Sequence, residues 1–391
     1  MPRVLLLVPT ATYRAPDFVR AAKALGVELV IGSEEPPPIP SERAVQLPLA
    51  DAAAAADAID HLDRARGVDA VVAVDDQAIL AAAVAGGRLG FPHNDPQAVA
   101  ATRDKAALRT RLAAGEVPQP AFGRSPRTVG YPCVVKPVGL AASRGVIRCD
   151  TPAEYAAAVA RIGAFWTGEL IVEQYVPGDE VAVEGLLRDG TLTTLAIFDK
   201  PDPLVGPYFE ETIYVTPSRL PSTTQAAITQ LVGRAAAAVG LTEGPIHAEV
   251  RVELRGADAP VLHVIEVAAR TIGGLCARTL RFGAGISLEE IVLRHALGLD
   301  LEDLDRPRSA SGVMMLPIPN AGTLAAIHHR DRALAIPGIE GLEFTIPIGA
   351  SVMPLPEGDR YLGFLFARGE TPAVVESALR SGAAALDIVI T

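Results

Sequence analysis

The chain reads as an α/β protein at its start and an α+β protein after that. Three observations predict this. Residues 1–100 alternate apolar runs with amphipathic or alanine-rich stretches, a β-α-β-α order that implies a parallel sheet between helices. Residues 101–305 are rich in paired runs with period-two alternation, the mark of half-buried hairpins. Residues 306–391 form a third region of three strands, one helix and a last strand. A length of 391 residues suits two or three units, and a hydrophobic fraction of 49% can fill their cores.

In the first region RVLLLVP is a strand, PDFVRAAKALG a helix and VELVIG a second strand. An alanine-rich helix follows from Asp51 to Arg66, then the strand DAVVAVD and the helix QAILAAAVAGGRLG. The opening apolar run extends only from Val4 to Val8, too short for a secretory signal core, so it is read as a buried strand. The prolines of Glu34 to Pro40 predict a stiff surface loop.

In the second region CVVK and VIRC flank a small-residue loop, Val138 to Gly145. ELIVEQYV runs through the turn PGDE into another strand. GPIHAEVRVEL and VLHVIEVAARTIGG form a hairpin about RGADAP. In the third, GVMMLPIP, GLEFTIPIG and RYLGFLFARG are strands, TPAVVESALRSGAAAL is a helix and DIVI the last strand. The longest uncharged run, Ser309 to Ile327, contains Pro317, Pro319 and Asn320, which argues against a transmembrane helix.

A net charge of −11 argues against nucleic acid or an anionic membrane as partner. Cys133, Cys149 and Cys276 are too few and too scattered for a disulfide framework or a zinc site. Reduced thiols and a cytoplasmic location are the expectation.

The central hairpin carries the most chemistry. Folding it about the middle of its turn sets Glu249 directly opposite Glu266. Like charges there repel, and a hard divalent cation between them removes the conflict. Arg270 follows four residues after Glu266, placed to grip an anion beside that cation. In the small-residue loop, backbone amides can approach a phosphate, with Ser143 adding a hydroxyl and Lys136 and Arg144 adding charge. No GK[ST] leads into a helix, so this is not a Walker A loop. In the third segment Glu173 can accept from an exocyclic amine, Tyr175 and Val176 can read a purine edge, and Glu180 can take a ribose hydroxyl pair.

Together these motifs resemble the ATP-grasp superfamily of carboxylate–amine ligases, over nearly the whole chain and in order. The resemblance implies a Rossmann-like N-terminal domain (1–100), an ATP-grasp domain (101–305) and a C-terminal α+β lobe (306–391). TRDKAALRTRLAAGEVPQP supplies Lys105 as the first ATP lysine and VVKP supplies Lys136 as the second. SRGV, from Ser143 through Arg144 and Gly145, matches the phosphate loop. EQYVPGDE matches the hinge, with Glu173, Gln174, Val176 and Glu180 at the nucleotide. Glu249 and Glu266 match the magnesium ligands, with manganese as a substitute ion. IEVAARTIGG and DKPDPLVGPYFEETIYVTPSRLP look most like the L-amino-acid ligases, which join two unprotected amino acids. By that likeness Arg270, Gly273, Gly274, Glu211 and Tyr214 face the substrates, and Arg270 and Glu211 act in catalysis. One departure is Ala268, where many ATP-grasp enzymes have a metal-binding Asn; this implies a more loosely held second ion. The partners implied are ATP and amino acids, with a homodimer left open. The alternatives are a ligase for another carboxylate–amine pair and a nucleotide-binding protein without ligation.

The resemblance implies a route through an acyl phosphate, with water excluded. The proline-rich segment Asp199 to Pro221 is long enough to help cover the site. In TIYVT, strand alternation puts Glu210, Thr212 and Tyr214 on one face, so Glu211 and Tyr214 share a pocket only through a bend. Other polar residues have plainer readings. His247 is a hydrogen-bonding neighbour of Glu249, since magnesium prefers oxygen. His328 and His329 form a solvated turn. Asp75 and Asp76 either border a ligand or start the next helix, and the helix start is preferred. Cys276 lines the acceptor pocket as a small apolar residue.

Overall fold

The computed structural model describes residues 1–9, 12–35, 43–254, 259–301, 303–307 and 309–391. Strands β1 (Arg3–Leu7), β2 (Glu28–Ser33), β3 (Ala44–Gln46) and β4 (Ala70–Ala73) form a parallel sheet in the order β3-β2-β1-β4. β1 is apolar without interruption because both its faces are covered. Leu5 and Leu7 meet Ala55, Ala56 and Ile59 of the helix Ala52–Arg66. Val4 and Leu6 meet Phe18 and Ala22 of the helix Ala15–Leu25. Asp51 caps the alanine-rich helix by accepting from the amides of Ala53 and Ala54. The three residues of β3 are too few to show a period, so the sequence pattern misses it. Most of the proline loop expected at Glu34 to Pro40 lies outside the described residues.

Strands β5 (Phe122–Gly123), β6 (Cys133–Pro137), β7 (Ile147–Cys149) and β8 (Leu170–Gln174) form a small antiparallel sheet, ordered β5-β8-β6-β7. The helix Pro152–Gly163 backs it through Ala158 and Ile162. Cys133 and Cys149 are scattered in sequence but stand directly opposite each other across β6 and β7. Both are free and buried. Burial, and then the neighbouring Cys133, push the Cys149 thiol up to about 12, which keeps it unreactive.

The next strands are β9 (Asp179–Arg188), β10 (Thr191–Lys200), β11 (Ile213–Thr216), β12 (Gly244–Glu253) and β13 (Val261–Ala268). The C-terminal region adds β14 (Ala310–Leu316), β15 (Gly322–His328), β16 (Ile339–Phe344), β17 (Ser351–Val352), β18 (Gly363–Gly369) and β19 (Asp387–Ile390). One eight-stranded sheet runs β13-β12-β9-β10-β11-β14-β18-β16, and β17-β15-β19 is a separate small sheet. The sheet therefore passes without a break from the central region into the C-terminal one, through the pairing of β11 with β14. β8 and β9, which look like one strand–turn–strand unit in sequence, belong to different sheets. The residues between them carry the chain from the small sheet to the large one.

Alternation along β9 and β12 sorts the large sheet into two faces. Val181, Val183, Ile246, Ala248, Val250 and Val252 pack against Ile228, Leu231 and Val232 of the helix Ser222–Val239. Each such side chain, fully buried, stabilises the fold by roughly 1.5–3 kcal/mol. That apolar face offsets the cost of the opposite one, where Glu180, Glu184, His247, Glu249 and Arg251 crowd together. The hairpin tip, residues 255–258, lies outside the described residues. From Glu253↔Val261 to Val250↔Val264 the ladder is regular; one extra residue, Ile265, then sets Glu249 opposite Glu266. Without that bulge Glu249 would face Ile265. Among the described residues no helix is long and apolar enough to cross a membrane.

Candidate active site

Two cavities meet between the small sheet and the charged face of the large one. A cleft of about 690 Å³ is lined by Lys105, Lys136, Glu173 to Val176 and Arg251. An open chamber of about 1910 Å³ is lined by Arg14, Asp75, Asp76, Tyr214, Arg270 and residues of the C-terminal region. Leu140 to Ser143, Glu211, Glu249 and Glu266 border both.

The cleft sets Lys105, Lys136 and Arg251 among carboxylates, and buried partners position its cations. Lys136 on β6 lies 2.6 Å from Glu173, and Arg109 holds both oxygens of the same carboxylate at 2.7 and 3.1 Å. Burial pushes the Glu173 carboxyl up, but Arg109 and Lys136 outweigh it and hold it down at about 2. Glu173 thus has both oxygens engaged with cations and positions Lys136 while lining the cleft. Lys105 opens the helix Lys105–Ala114 and its ammonium donates to the Leu140 carbonyl. Burial lowers its pKa, with Glu266 opposing.

The small-residue loop holds Ala142, Ser143 and Gly145 at φ of 56°, 55° and 71°. Two of these are not glycine, a costly conformation that concentrates at ligand clamps. Gly145 has no substitute, because a Cβ there would meet the Pro137 ring at 2.7 Å. The Gly145 amide, expected at a phosphate, donates here to the Pro356 carbonyl at 2.9 Å, and the Arg144 amide donates to Ala141 at 3.2 Å. At the crossing, the Gln174 amide donates to Ala121 and the Tyr175 amide to Pro132. Gln174 and Val176 line the cleft.

At the junction of the cavities, Glu180, Glu211 and Glu249 each offer a carboxylate oxygen within 4.8 Å of the others. An all-oxygen set of this kind suits a hard divalent cation. Glu266 stands across the ladder from Glu249 but outside this triad, so the expected pair becomes a cluster of three plus a neighbour. The Lys200 ammonium reaches all three members, at 2.7 Å from Glu180, 2.8 Å from Glu249 and closely to Glu211. The other Glu180 oxygen is 2.8 Å from Arg251. Glu180 is therefore paired with two cations while it lines the cleft. Burial raises the Glu211 carboxyl, Lys200 lowers it and Glu249 raises it again, leaving it above the ordinary range.

In the chamber, Arg270 is ion-paired with Asp76 at 2.8 Å and donates to the Thr271 carbonyl at 3.0 Å. Asp75 and Asp76 therefore border the site; the following helix, Ile79–Leu89, starts on Ala78 without a side-chain cap. Gly273 and Gly274 line the same wall. Gly274 has φ of 61°, and a Cβ on it would meet the Phe364 ring at 2.6 Å. β11 begins only at Ile213, so the chain before it bends and lets Glu211 and Tyr214 both border the chamber. Tyr214 also lies 5.1 Å beneath the Lys200 ammonium. His247 sits 3.3 Å from Glu184 and 3.8 Å from Glu249. Burial works against a charged ring, yet the two carboxylates raise its pKa to about 9.

The comparisons with known proteins agree with this geometry. Residues 129–279 match the ATP-grasp domain family, 19–93 the ATP-grasp N-terminal domain and 314–391 the L-amino acid ligase C-terminal domain 2. The crystal structure of an L-amino acid ligase from Bacillus licheniformis superposes with a TM-score of 0.83, covers all of both chains and is 27% identical. The chain belongs to the ATP-grasp superfamily. Its C-terminal region and its overall fold are related to those of the L-amino-acid ligases. The uncharacterized protein y4rH of Sinorhizobium fredii is 26% identical over 310 residues, 74% of this chain and 63% of its own. The alanine–anticapsin ligase of Bacillus subtilis is 25% identical over 258 residues, 58% of this chain and 53% of its own. The chain thus spans less than two thirds of the length of these curated relatives.

Three residues of this ATP-grasp protein were not singled out by sequence reasoning. Lys200 ends an alternating strand as an inconspicuous lysine, and only the pairing of β9 with β10 puts it opposite Glu180. Arg109 sits in an unremarkable helix, yet it is 1% exposed and also donates to the carbonyls of Val264 and Ile265. Glu184 accepts from the Ile272 amide at 2.9 and 3.1 Å, which fixes the start of the Gly273–Gly274 segment. Each could have been flagged only as a charge inside an apolar run.

Proposed function

We propose that the protein joins two L-amino acids into a dipeptide, using ATP and releasing ADP and phosphate. The observation that carries this reading is the junction itself: a cleft with Lys105, Lys136 and Arg251 in its wall opens at a carboxylate cluster into a wider chamber with both acidic and basic walls. Full-length likeness to the Bacillus licheniformis L-amino acid ligase supports it.

In this reading ATP lies in the cleft, with its phosphates toward Lys105, Lys136 and the Ser143 to Gly145 loop. The adenine lies against Gln174 to Val176. Glu249, with Glu266 and the nearby carboxylates, would hold Mg²⁺, which would supply positive charge to the phosphates. One amino acid places its carboxylate beside Arg270; that oxygen bonds to the γ-phosphorus, and the bond to the β-phosphate oxygen breaks. The second amino acid places its ammonium at Glu211, which takes one proton. The amine nitrogen then bonds to the acyl carbon, phosphate leaves with its oxygen, and the second proton goes to solvent. Lys200 and His247 keep the carboxylate cluster compact. A homodimer and a cytoplasmic setting remain part of the proposal.

Turnover with ATP, Mg²⁺ and amino-acid pairs is expected to give ADP, inorganic phosphate and a new amide, read by phosphorus NMR and mass spectrometry. AMP and pyrophosphate would overturn the acyl-phosphate route. Glu211→Gln is expected to keep forming acyl phosphate, trapped by hydroxylamine, while amide formation slows by about 100-fold or more. An unchanged amide-forming rate would remove Glu211 from the chemistry.

A further inference from the structure

Two arginines of the chamber, Arg14 and Arg360, have no carboxylate partner among the described residues, and of these Arg14 is buried and committed to neutral oxygens. Arg14 donates to the Val74 carbonyl at 2.7 Å and to the Thr271 hydroxyl. Arg270 is held by Asp76 at 2.8 Å. Arg144 lies 3.7 Å from Asp359 and stacks 5.2 Å from the Phe165 ring. Arg360 borders the same chamber, is exposed, and has no ion pair among the described residues.

The segment that presents Arg360 is nevertheless fixed. The Gly145 amide holds the Pro356 carbonyl at 2.9 Å, and Arg161 holds both oxygens of Glu357 at 2.5 and 3.0 Å. Beyond it, Tyr361 packs edge-on to Phe364 with centroids 6.3 Å apart. Tyr361 and Glu211 both line the chamber. Arg360 therefore borders the same chamber as the proposed ammonium site at Glu211. It is anchored by the loop proposed to cover the phosphates.

The ligation chemistry says what such a cation is for. The donor's carboxylate is consumed: it becomes the acyl phosphate and then the amide. The acceptor's carboxylate passes through unchanged, so it needs a cation that takes no part in phosphoryl transfer. We propose that Arg360 binds the α-carboxylate of the acceptor, so that the amine substrate is selected as a free α-amino acid gripped at both ends, ammonium by Glu211 and carboxylate by Arg360. This rests on the dipeptide-forming reading above, in which Arg270 faces the donor's carboxylate. Anchoring through Gly145 and Arg161 further ties this grip to the position of the phosphate loop.

The test compares an acceptor amino acid with its α-carboxamide, in wild type, Arg360→Ala and Arg360→Lys. Hydroxylamine trapping of the acyl phosphate normalises for the first half-reaction. Wild type is expected to prefer the free acid by on the order of 10- to 100-fold in kcat/KM, the range of a charge-assisted hydrogen bond. Arg360→Ala is expected to lose that preference through a raised KM for the acid, with the carboxamide little affected, and Arg360→Lys to restore part of it. Equal losses for acid and carboxamide, or an undiminished preference in Arg360→Ala, would overturn the assignment while leaving the ligase reading intact. Absence of hydroxamate from wild type with every amino acid tried would overturn both.

Discussion

Replacing Arg270 by alanine is expected to slow turnover about 100- to 1,000-fold, the usual cost of losing one charge-stabilising donor in a water-excluded site. ATP affinity is expected to change little. Arg270 borders the chamber and not the cleft, where Lys105, Lys136 and Arg251 supply the positive charge. Although burial acts against its charge, Asp76 and Glu266 keep the guanidinium firmly protonated. Its Nε is committed to Asp76 and one terminal nitrogen to Thr271, which aims the fork in a fixed direction. Arg270→Lys is expected to rescue little, since a point charge does not reproduce a planar fork. Equilibrium ATP binding measured beside the steady-state rate separates the cases. An affinity loss as large as the rate loss would place Arg270 in nucleotide binding.

Replacing Glu173 by glutamine is expected to destabilise the fold by about 3–5 kcal/mol, as breaking a buried ion pair on one side does. The change leaves Arg109 and Lys136 facing each other with no carboxylate between them. Its signature is a pH dependence. The Glu173 carboxyl is held at about 2 in the fold against an ordinary 4.5. A depressed folded pKa contributes stability that is full above the ordinary value and is lost as pH falls from 4.5 toward about 2. Thermal melts of wild type and Glu173→Gln from neutral pH downward are expected to converge over that window. Melting curves that stay parallel, or coincide at neutral pH, would show that the Arg109–Glu173–Lys136 cluster does not stabilise the fold. Lys136 also loses its orienting partner, so weaker ATP binding is expected alongside.

Much of this was legible in the sequence because it is local. The uninterrupted run of β1, the capped helix after Asp51 and the alternation in β9, β12 and β13 depend on near neighbours and their periods. So did the likeness of IEVAARTIGG and SRGV to ligase motifs. The pairing of Glu249 with Glu266 was also readable from hairpin symmetry, although the ladder reaches it through a bulge at Ile265 that symmetry does not require.

What the sequence could not determine is long-range. Whether β8 and β9 pair or separate depends on which sheets recruit them, and that is decided by packing across the whole chain. The partners of Glu173 and Glu180 come from residues 64 and 20 positions away in sequence, Arg109 and Lys200. Those contacts give both carboxylates cationic partners that the local sequence does not reveal. The chamber walls likewise join Asp76, Glu211, Arg270 and Arg360, which no window of local sequence contains together. Local pattern sets which residues face a site; only tertiary packing sets which opposite charge each one meets, because a charge removed from water takes whatever partner the fold brings within reach.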